Sequence, residues 1–356
     1  MSKIDIIIPV YNTNKRYLYR CIESLQAQTL NDWTSIIIDD GSNDETAHIL
    51  DEYMKSDSRI NVYHYPNAGP SEARNRGLEK VEAPYVTFLD SDDELTPSFL
   101  ENGLDKIVQS DADLYICGAK SVKDGQVVET STAEPGVHVV EDGEIINLLN
   151  KAVSTYNIKE TLFTRNTLVA RLVMKIYKKE LLSNERLNPK VRISEDSLYS
   201  FATIQHCKRI VIDSSIGYQI NITDDSLTRG KNYDLAINDY LEFASAFQIE
   251  KEALSKLDLL DAYRARLLII FTNIQNSLSK KNMTFSEYAR KHKELVLDDR
   301  FADLEDLDLS VYIKTDRRQV SMHKIVLSRI LSLRGRKLKV LLLFLDSWAN
   351  KILKNT

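Results

Sequence analysis

The chain has 356 residues and a formal net charge of -5, enough length for one large domain with a smaller addition. Its three cysteines, Cys21, Cys117 and Cys207, are scattered, which argues against a disulfide framework or a thiolate zinc site and suits a reducing compartment. No leader pattern precedes the first strand, and no apolar run approaches the ~20 residues of a membrane span. The sequence therefore predicts a cytoplasmic protein.

The first elements alternate. Ile4 to Tyr11 (IDIIIPVY) is rich in β-branched residues and predicts a strand stopped near Pro9, with Asn12 and Thr13 as turn and cap residues. Leu18, Cys21, Ile22 and Leu25 recur at helical spacing and predict a helix from about Lys15 to Gln28. Trp33 to Asp40 predicts a second strand ending in Asp39-Asp40-Gly41-Ser42, and a helix then opens at Asn43-Asp44-Glu45. Ile60 to Tyr65 predicts a third strand, and Asn67-Ala68-Gly69-Pro70 turns into a helix carrying Ala73, Arg74, Asn75 and Gly77. Pro84 to Leu89 predicts the fourth strand, a helix follows from Pro97, and Asp113 to Ala119 is the fifth strand.

Such alternation implies a parallel, doubly wound sheet, whose ligands sit outside the carboxyl ends of the strands. Here four strand ends carry polar residues: Tyr11-Asn12, Asp39 to Ser42, Asn67 to Gly69, and Asp90-Ser91-Asp92-Asp93. A carboxylate cluster after a buried strand suits a hard divalent cation, Mg²⁺ or Mn²⁺, arriving with a phosphorylated substrate. Taken alone, the same acids would serve equally as a solvated helix cap. There is no G-x-G-x-x-G after the first strand and no G-x-x-x-x-G-K-[ST], so dinucleotide and P-loop chemistry lack support.

The runs IIIPVYN (6–12), IIIDDGSNDET (36–46), NAGPSEARNRGLE (67–79) and YVTFLDSDDEL (85–95) together resemble the nucleotide-sugar-binding half of a family 2, GT-A-type inverting glycosyltransferase. Pro70 departs from the small residue usual in that family, and a local change in the loop is expected. The resemblance implies a mixed, mostly parallel doubly wound sheet, with residues 1–120 binding the donor and 121–230 the acceptor. It also implies a nucleotide-diphosphate sugar, a UDP-sugar by preference. Pro9, Tyr11, Asn12, Asp40 and Gly41 would hold the base, with Asp40 accepting the uracil imide proton. Asn67, Gly69 and Arg74 would close over base or ribose, with Arg74 near the diphosphate. Asp90 and Ser91 would meet the ribose, and Asp92 the metal, aided by Asp90 and Asp93. On residue chemistry alone, Arg74 would equally pair with Glu72 or Glu79.

Val122 to Thr130 predicts a hairpin around Asp124-Gly125. Leu172 to Leu182 resembles the family segment before the acceptor site, and Glu195-Asp196 opens an amphipathic helix where the family carries its base. The resemblance gives that role to Asp196, with Glu195 second; the residues alone read as an ordinary helix N-terminus capped by Ser194. Arg209 to Ile220 predicts further strands, and the loop holding Arg229 would cover the donor. His206 reads as a helix-surface residue, and the late His metal ligand of GT-A enzymes is missing between Asp213 and Lys231.

Residues 231–316 read as a helical region. Between Arg317 and Thr356 ten Lys/Arg face one acid, a net +9 in an otherwise acidic chain. This amphipathic basic tail fits peripheral contact with an anionic membrane face, or packing in a core or homo-oligomer. The expected activity is inverting sugar transfer to a glycan or lipid-linked acceptor in capsule, exopolysaccharide or teichoic-acid assembly at the inner membrane face. Extension of a glycan on a protein such as an adhesin is the alternative acceptor. A nucleotidyltransferase would want a Gly-rich phosphate loop, and nucleic-acid binding would leave the acidic cluster unexplained.

Overall fold

The computed structural model describes residues 2–155, 165–183, 185–191, 195–222, 285–296 and 298–306, with single residues between 241 and 274. Two compact units divide the chain, one of residues 1–152 and 156–231, the other of 153–155 and 232–356.

The first unit is built on a ten-stranded mixed sheet. Its strands are β1 (Ile4–Val10), β2 (Trp33–Asp39), β3 (Ile60–His64), β4 (Tyr85–Phe88), β5 (Glu94–Leu95), β6 (Leu114–Lys123), β7 (Gln126–Ser131), β8 (Val137–Glu141), β9 (Lys175–Lys178) and β10 (Arg209–Asn221). They lie in the order β3-β2-β1-β4-β9-β6-β10-β5, with β7 on β6 and β8 on β10. The quartet β3-β2-β1-β4 is wholly parallel, and β6 and β10 also pair in parallel. The opposed strands are β5, β7, β8 and β9. This is the mixed, mostly parallel α/β sheet that the family resemblance implies, whereas the alternation of strands and helices alone implies a parallel one.

β1 is central because it is apolar on both faces. Ile4, Ile6, Ile7, Ile8 and Val10 are all buried, as a parallel strand covered on both sides requires. Pro9 is tolerated there because β4 pairs with β1 only as far as Ile7, while β2 continues to Val10.

The helices of this unit are α1 (Lys15–Gln26), α2 (Thr46–Ser56), α3 (Pro70–Leu78), α4 (Phe99–Ser110), α5 (Asp142–Thr155, of which residues 153–155 are counted with the second unit), α6 (Arg165–Ala170) and α7 (Glu195–Ile204). α1 stops at Gln26, before the expected Gln28, and the buried Gln28 amide is used elsewhere. Its Nε2 donates to the carbonyls of Ser24 and Thr96, and its Oε1 accepts from Leu100 N–H. α2 begins at Thr46 rather than Asn43, because Asn43 and Asp44 are spent on loop bonds. The expected further strands from Arg209 are one long strand with register shifts between Ile212 and Tyr218. The Asp124-Gly125 hairpin forms as read, between β6 and β7.

Among the described residues of the second unit, α8 (Phe285–Val296) is followed by a 3-10 turn at Asp299–Asp306. Phe271 and Phe301 meet edge to face at 5.3 Å, and Asp298 binds the Arg300 guanidinium. The loop with Arg229, most of the predicted helical region and the basic tail fall outside the described residues. No described helix is long and apolar enough to cross a membrane.

Candidate active site

The parallel quartet ends in loops that are tied to one another through side chains. Asn12, with φ 45°, donates its N–H to Ser42 Oγ at 3.0 Å and accepts Asn43 N–H on its Oδ1 at 2.9 Å. Thr13 and Ser91 share a hydroxyl bond at 2.7 Å, which joins the ends of β1 and β4. Asp39 accepts Ser42 N–H and also meets His64 Nδ1 at 2.7 Å. Gly41 has φ +79°, and a Cβ there would stand 2.7 Å from the backbone nitrogen of Asn67. Only glycine lets these two loops approach so closely. Tyr11 projects from this rim half exposed.

Asp40 is buried beneath the Asn67-Ala68-Gly69 turn. Its carboxylate accepts the N–H groups of Ala68 and Gly69, the latter at 2.7 Å, and an Arg76 nitrogen at 3.2 Å. Arg76 in turn lies over the Tyr65 ring, 4.6 Å from its centroid. The turn delivers the chain into α3 with Gly69 as cap and Pro70 at the first helical position. Proline costs nothing there, since that N–H has no helical partner in any case. The departure at Pro70 is thus a helix start, as local as expected.

α3 lies close against β1, because a Cβ on Gly77 would come within 2.5 Å of the Ile7 side chain. From this position it presents two buried side chains to the rest of the unit. Asn75 clamps the backbone of Leu187 in both directions, donating to its carbonyl at 2.8 Å and accepting its N–H at 2.9 Å. Arg74 reaches Asp90 at 2.9 Å and Glu195 at 3.3 Å. Neither Glu72 nor Glu79 takes Arg74; Glu72 pairs with Arg76 instead. One guanidinium therefore spans the acidic turn after β4 and the first residue of α7, which are more than a hundred positions apart in sequence.

A match to the model described as "Glycosyl transferase family 2" covers residues 5–182. The chain belongs to glycosyl transferase family 2. It is 27% identical over 242 residues to the uncharacterized glycosyltransferase EpsJ of Bacillus subtilis (strain 168), a match spanning 67% of this chain and 66% of EpsJ. It is 30% identical over 226 residues to the succinoglycan biosynthesis protein ExoW of Rhizobium meliloti (strain 1021), covering 61% of this chain and 68% of ExoW. S. aureus TarS 1-349, solved in complex with UDP-GlcNAc, superposes with a TM-score of 0.67 at 19% identity, over 98% of this chain and 91% of that one. That similarity establishes a shared fold.

Within this glycosyltransferase the three aspartates of the acidic turn occupy different environments. Asp93 is buried, and both its oxygens are engaged. Oδ2 meets Tyr218 Oη at 2.9 Å, and Oδ1 accepts Asn221 N–H at 2.9 Å. Burial first, and then Asp92 and Asp90, push its pKa well up. Asp93 thus helps to build the turn, each of its oxygens accepting one hydrogen bond. Asp90 is committed to Arg74, and its N–H donates to Tyr218 Oη. Among the described residues, no hydrogen bond or ion pair from another residue reaches the Asp92 carboxylate. Burial and the Asp90 charge raise its pKa to about 6.

This donor set fits a divalent cation in part. An anion held up by a neighbouring anion is relieved by a metal, and Asp92 with Asp90 offers hard oxygens of the right kind. No group of three or more His, Cys, Asp or Glu converges among the described residues. Further ligands would come from phosphate oxygens and water. His206 lies just past α7 and pairs with Glu185 at 3.4 Å, so it supplies none.

At the start of α7, Glu195 has its pKa raised to about 7 by burial and by Asp196, against the pull of Arg74. Asp196 turns Oδ1 to the N–H and hydroxyl of Ser197. Ser194, the expected cap, is outside the described residues. Tyr218 and Asn221 escaped the sequence reading. Both sit inside a strand whose pattern signals only burial, and nothing local to it points at Asp93.

Proposed function

We propose that this chain transfers a sugar from a UDP-sugar to an acceptor hydroxyl with inversion. The observation that carries the reading is the Arg74 bridge, which sets the donor-side turn and the acids of α7 within reach of one side chain. In this reading the uracil and ribose lie over Pro9, Tyr11, Asn12, Gly41, Asn67 and Gly69. Asp40 accepts a hydrogen bond from the uracil imide N–H in exchange for Arg76, its longest contact. Asp90 and Ser91 line the ribose side. Asp92, with Asp90 and Asp93, would hold Mn²⁺ or Mg²⁺, and that ion would neutralise charge developing on the diphosphate leaving group.

Asp196 is the general base that takes the acceptor proton as the acceptor oxygen bonds the anomeric carbon on one face and UDP leaves from the other. Glu195, held by Arg74, keeps the first turn of α7 in place and lends Asp196 a polar neighbour. The acceptor is a growing surface glycan or its lipid-linked precursor, a reading supported by the similarity to ExoW and by the basic 317–356 segment. A glycan on a protein is the competing acceptor. Flotation with anionic vesicles separates the two, since a tail with no lipid affinity removes the membrane argument.

The deciding experiment is a panel of nucleotide sugars tested for binding and turnover with Mn²⁺ or Mg²⁺. Metal-dependent binding of one UDP-sugar supports the assignment and names the donor. Absence of binding to every nucleotide sugar, with and without metal, leaves a family fold without this activity.

A further inference from the structure

One buried ionisable group in the first unit has no part in the site described above. Lys175 lies in β9, in the middle of the sheet, and is fully buried. Its Nζ donates to the carbonyl of Val169 at 2.7 Å, to the carbonyl of Arg171, and to Ser200 Oγ at 3.3 Å. Ser200 Oγ itself donates to the Arg171 carbonyl at 3.0 Å. No carboxylate stands within ion-pair distance of this ammonium among the described residues, an expensive arrangement for a buried cation. All three protons are nevertheless used, two on the carbonyl end of α6 and one on α7. Ser200 is one helical turn beyond Asp196, on the same face.

We propose that Lys175 is a positioning residue that fixes the first turn of α7, and with it Asp196, against the central sheet. The part concerning Asp196 rests on the base assignment made above. Two further observations agree. Thr87 Oγ1 donates to the Lys175 carbonyl at 2.7 Å, which ties the same residue to β4, the strand leading into the acidic turn. Burial lowers the Lys175 pKa to about 7, and Asp196 is the largest influence holding it up. Asp196, Cys207 and Arg171 face Lys175, while Arg74, Glu195 and Tyr177 share the field around Asp196.

The test compares wild type with Lys175→Met, Lys175→Arg and Ser200→Ala. Hydrogen exchange is read over residues 195–204, with UDP binding and UDP release from the panel donor measured alongside. Lys175→Met should speed exchange across α7, with Lys175→Arg restoring it at least in part. UDP binding should change less than about twofold, while UDP release from the panel donor falls about tenfold or more. Wild-type exchange in Lys175→Met, or faster exchange with UDP release unchanged, overturns the proposal. If Lys175→Met does not fold, Ser200→Ala decides: faster exchange in the same helix supports the link, and unchanged exchange refutes it. Full turnover in Asp196→Asn would instead remove the base assignment and leave the exchange result standing.

Discussion

The two acidic clusters of the first unit are treated differently by the same fold. After β4, three aspartates crowd into four positions, and the structure spreads them over separate partners: Asp93 to Tyr218 and Asn221, Asp90 to Arg74, and Asp92 to none described. At α7, two acids share a helix start. One is drawn to Arg74 and the other to the backbone of its own turn. The first cluster leaves Asp92 without a described partner and with its pKa raised to about 6. The second has Glu195 raised to about 7 against the pull of Arg74. Burial and partners, rather than the number of acids, set how each carboxylate ionises.

Breaking the bridge between the clusters should have the largest effect. Arg74→Met leaves Glu195 and Asp90 facing each other without a cation. Removing one partner of a buried pair costs about 3–5 kcal/mol, and the lower end applies because Asp90 is partly exposed. Urea unfolding should show a loss of about 3 kcal/mol and transfer should be abolished; an unchanged midpoint would mean that the bridge is incidental.

Asp92→Ala removes the open carboxylate only. Metal-dependent UDP affinity should fall by more than the roughly 10–100-fold that loss of an outer-shell partner costs a metal site. Calorimetry with and without Mn²⁺ reads it, and affinity equal to wild type in Mn²⁺ would move the metal elsewhere. Gly77→Ala leaves both clusters intact but pushes α3 off β1. Overpacking of this kind costs about 1–3 kcal/mol, read as a lower Tm with UDP binding weakened in step.

The smallest effect belongs to His64, which lies between Asp39 and Asp51. Its bond to Asp39 raises its pKa, so protonation and folding favour each other. The stabilisation is fully present below the unfolded pKa of about 6.5 and disappears as pH rises through the higher folded value. With His64 two-fifths exposed, it amounts to about 1 kcal/mol or less. His64→Asn should therefore lower stability at pH 5.5 and leave it unchanged at pH 9; an equal loss at both would rule out the charge as its source.

Much of the parallel quartet and of the loops at its carboxyl ends was legible in the sequence because its signals are local. Buried strands read as unbroken apolar runs, each ends in turn residues, and the alternation of strands and helices aligns those ends on one sheet edge. The rest is set by distant pairings. β9 is four residues long and begins with Lys175, a residue type that argues against a central strand. β5 and β8 form only by pairing with β10. The aspartates of the acidic turn look equivalent in sequence, and only Tyr218 and Asn221, more than 120 positions later, separate Asp93 from the others. Neither of the acids that Arg74 meets, Asp90 and Glu195, was read as its partner, since nothing around either points back to α3.

The most direct test of the account separates donor binding from turnover at the two clusters. UDP binding in Mn²⁺ and sugar transfer from the panel donor would be measured side by side for wild type, Asp92→Ala and Asp196→Asn. The account predicts weak binding and no transfer for Asp92→Ala, and near wild-type binding with transfer lost for Asp196→Asn. Transfer surviving in Asp196→Asn, or binding lost equally in both variants, would contradict it.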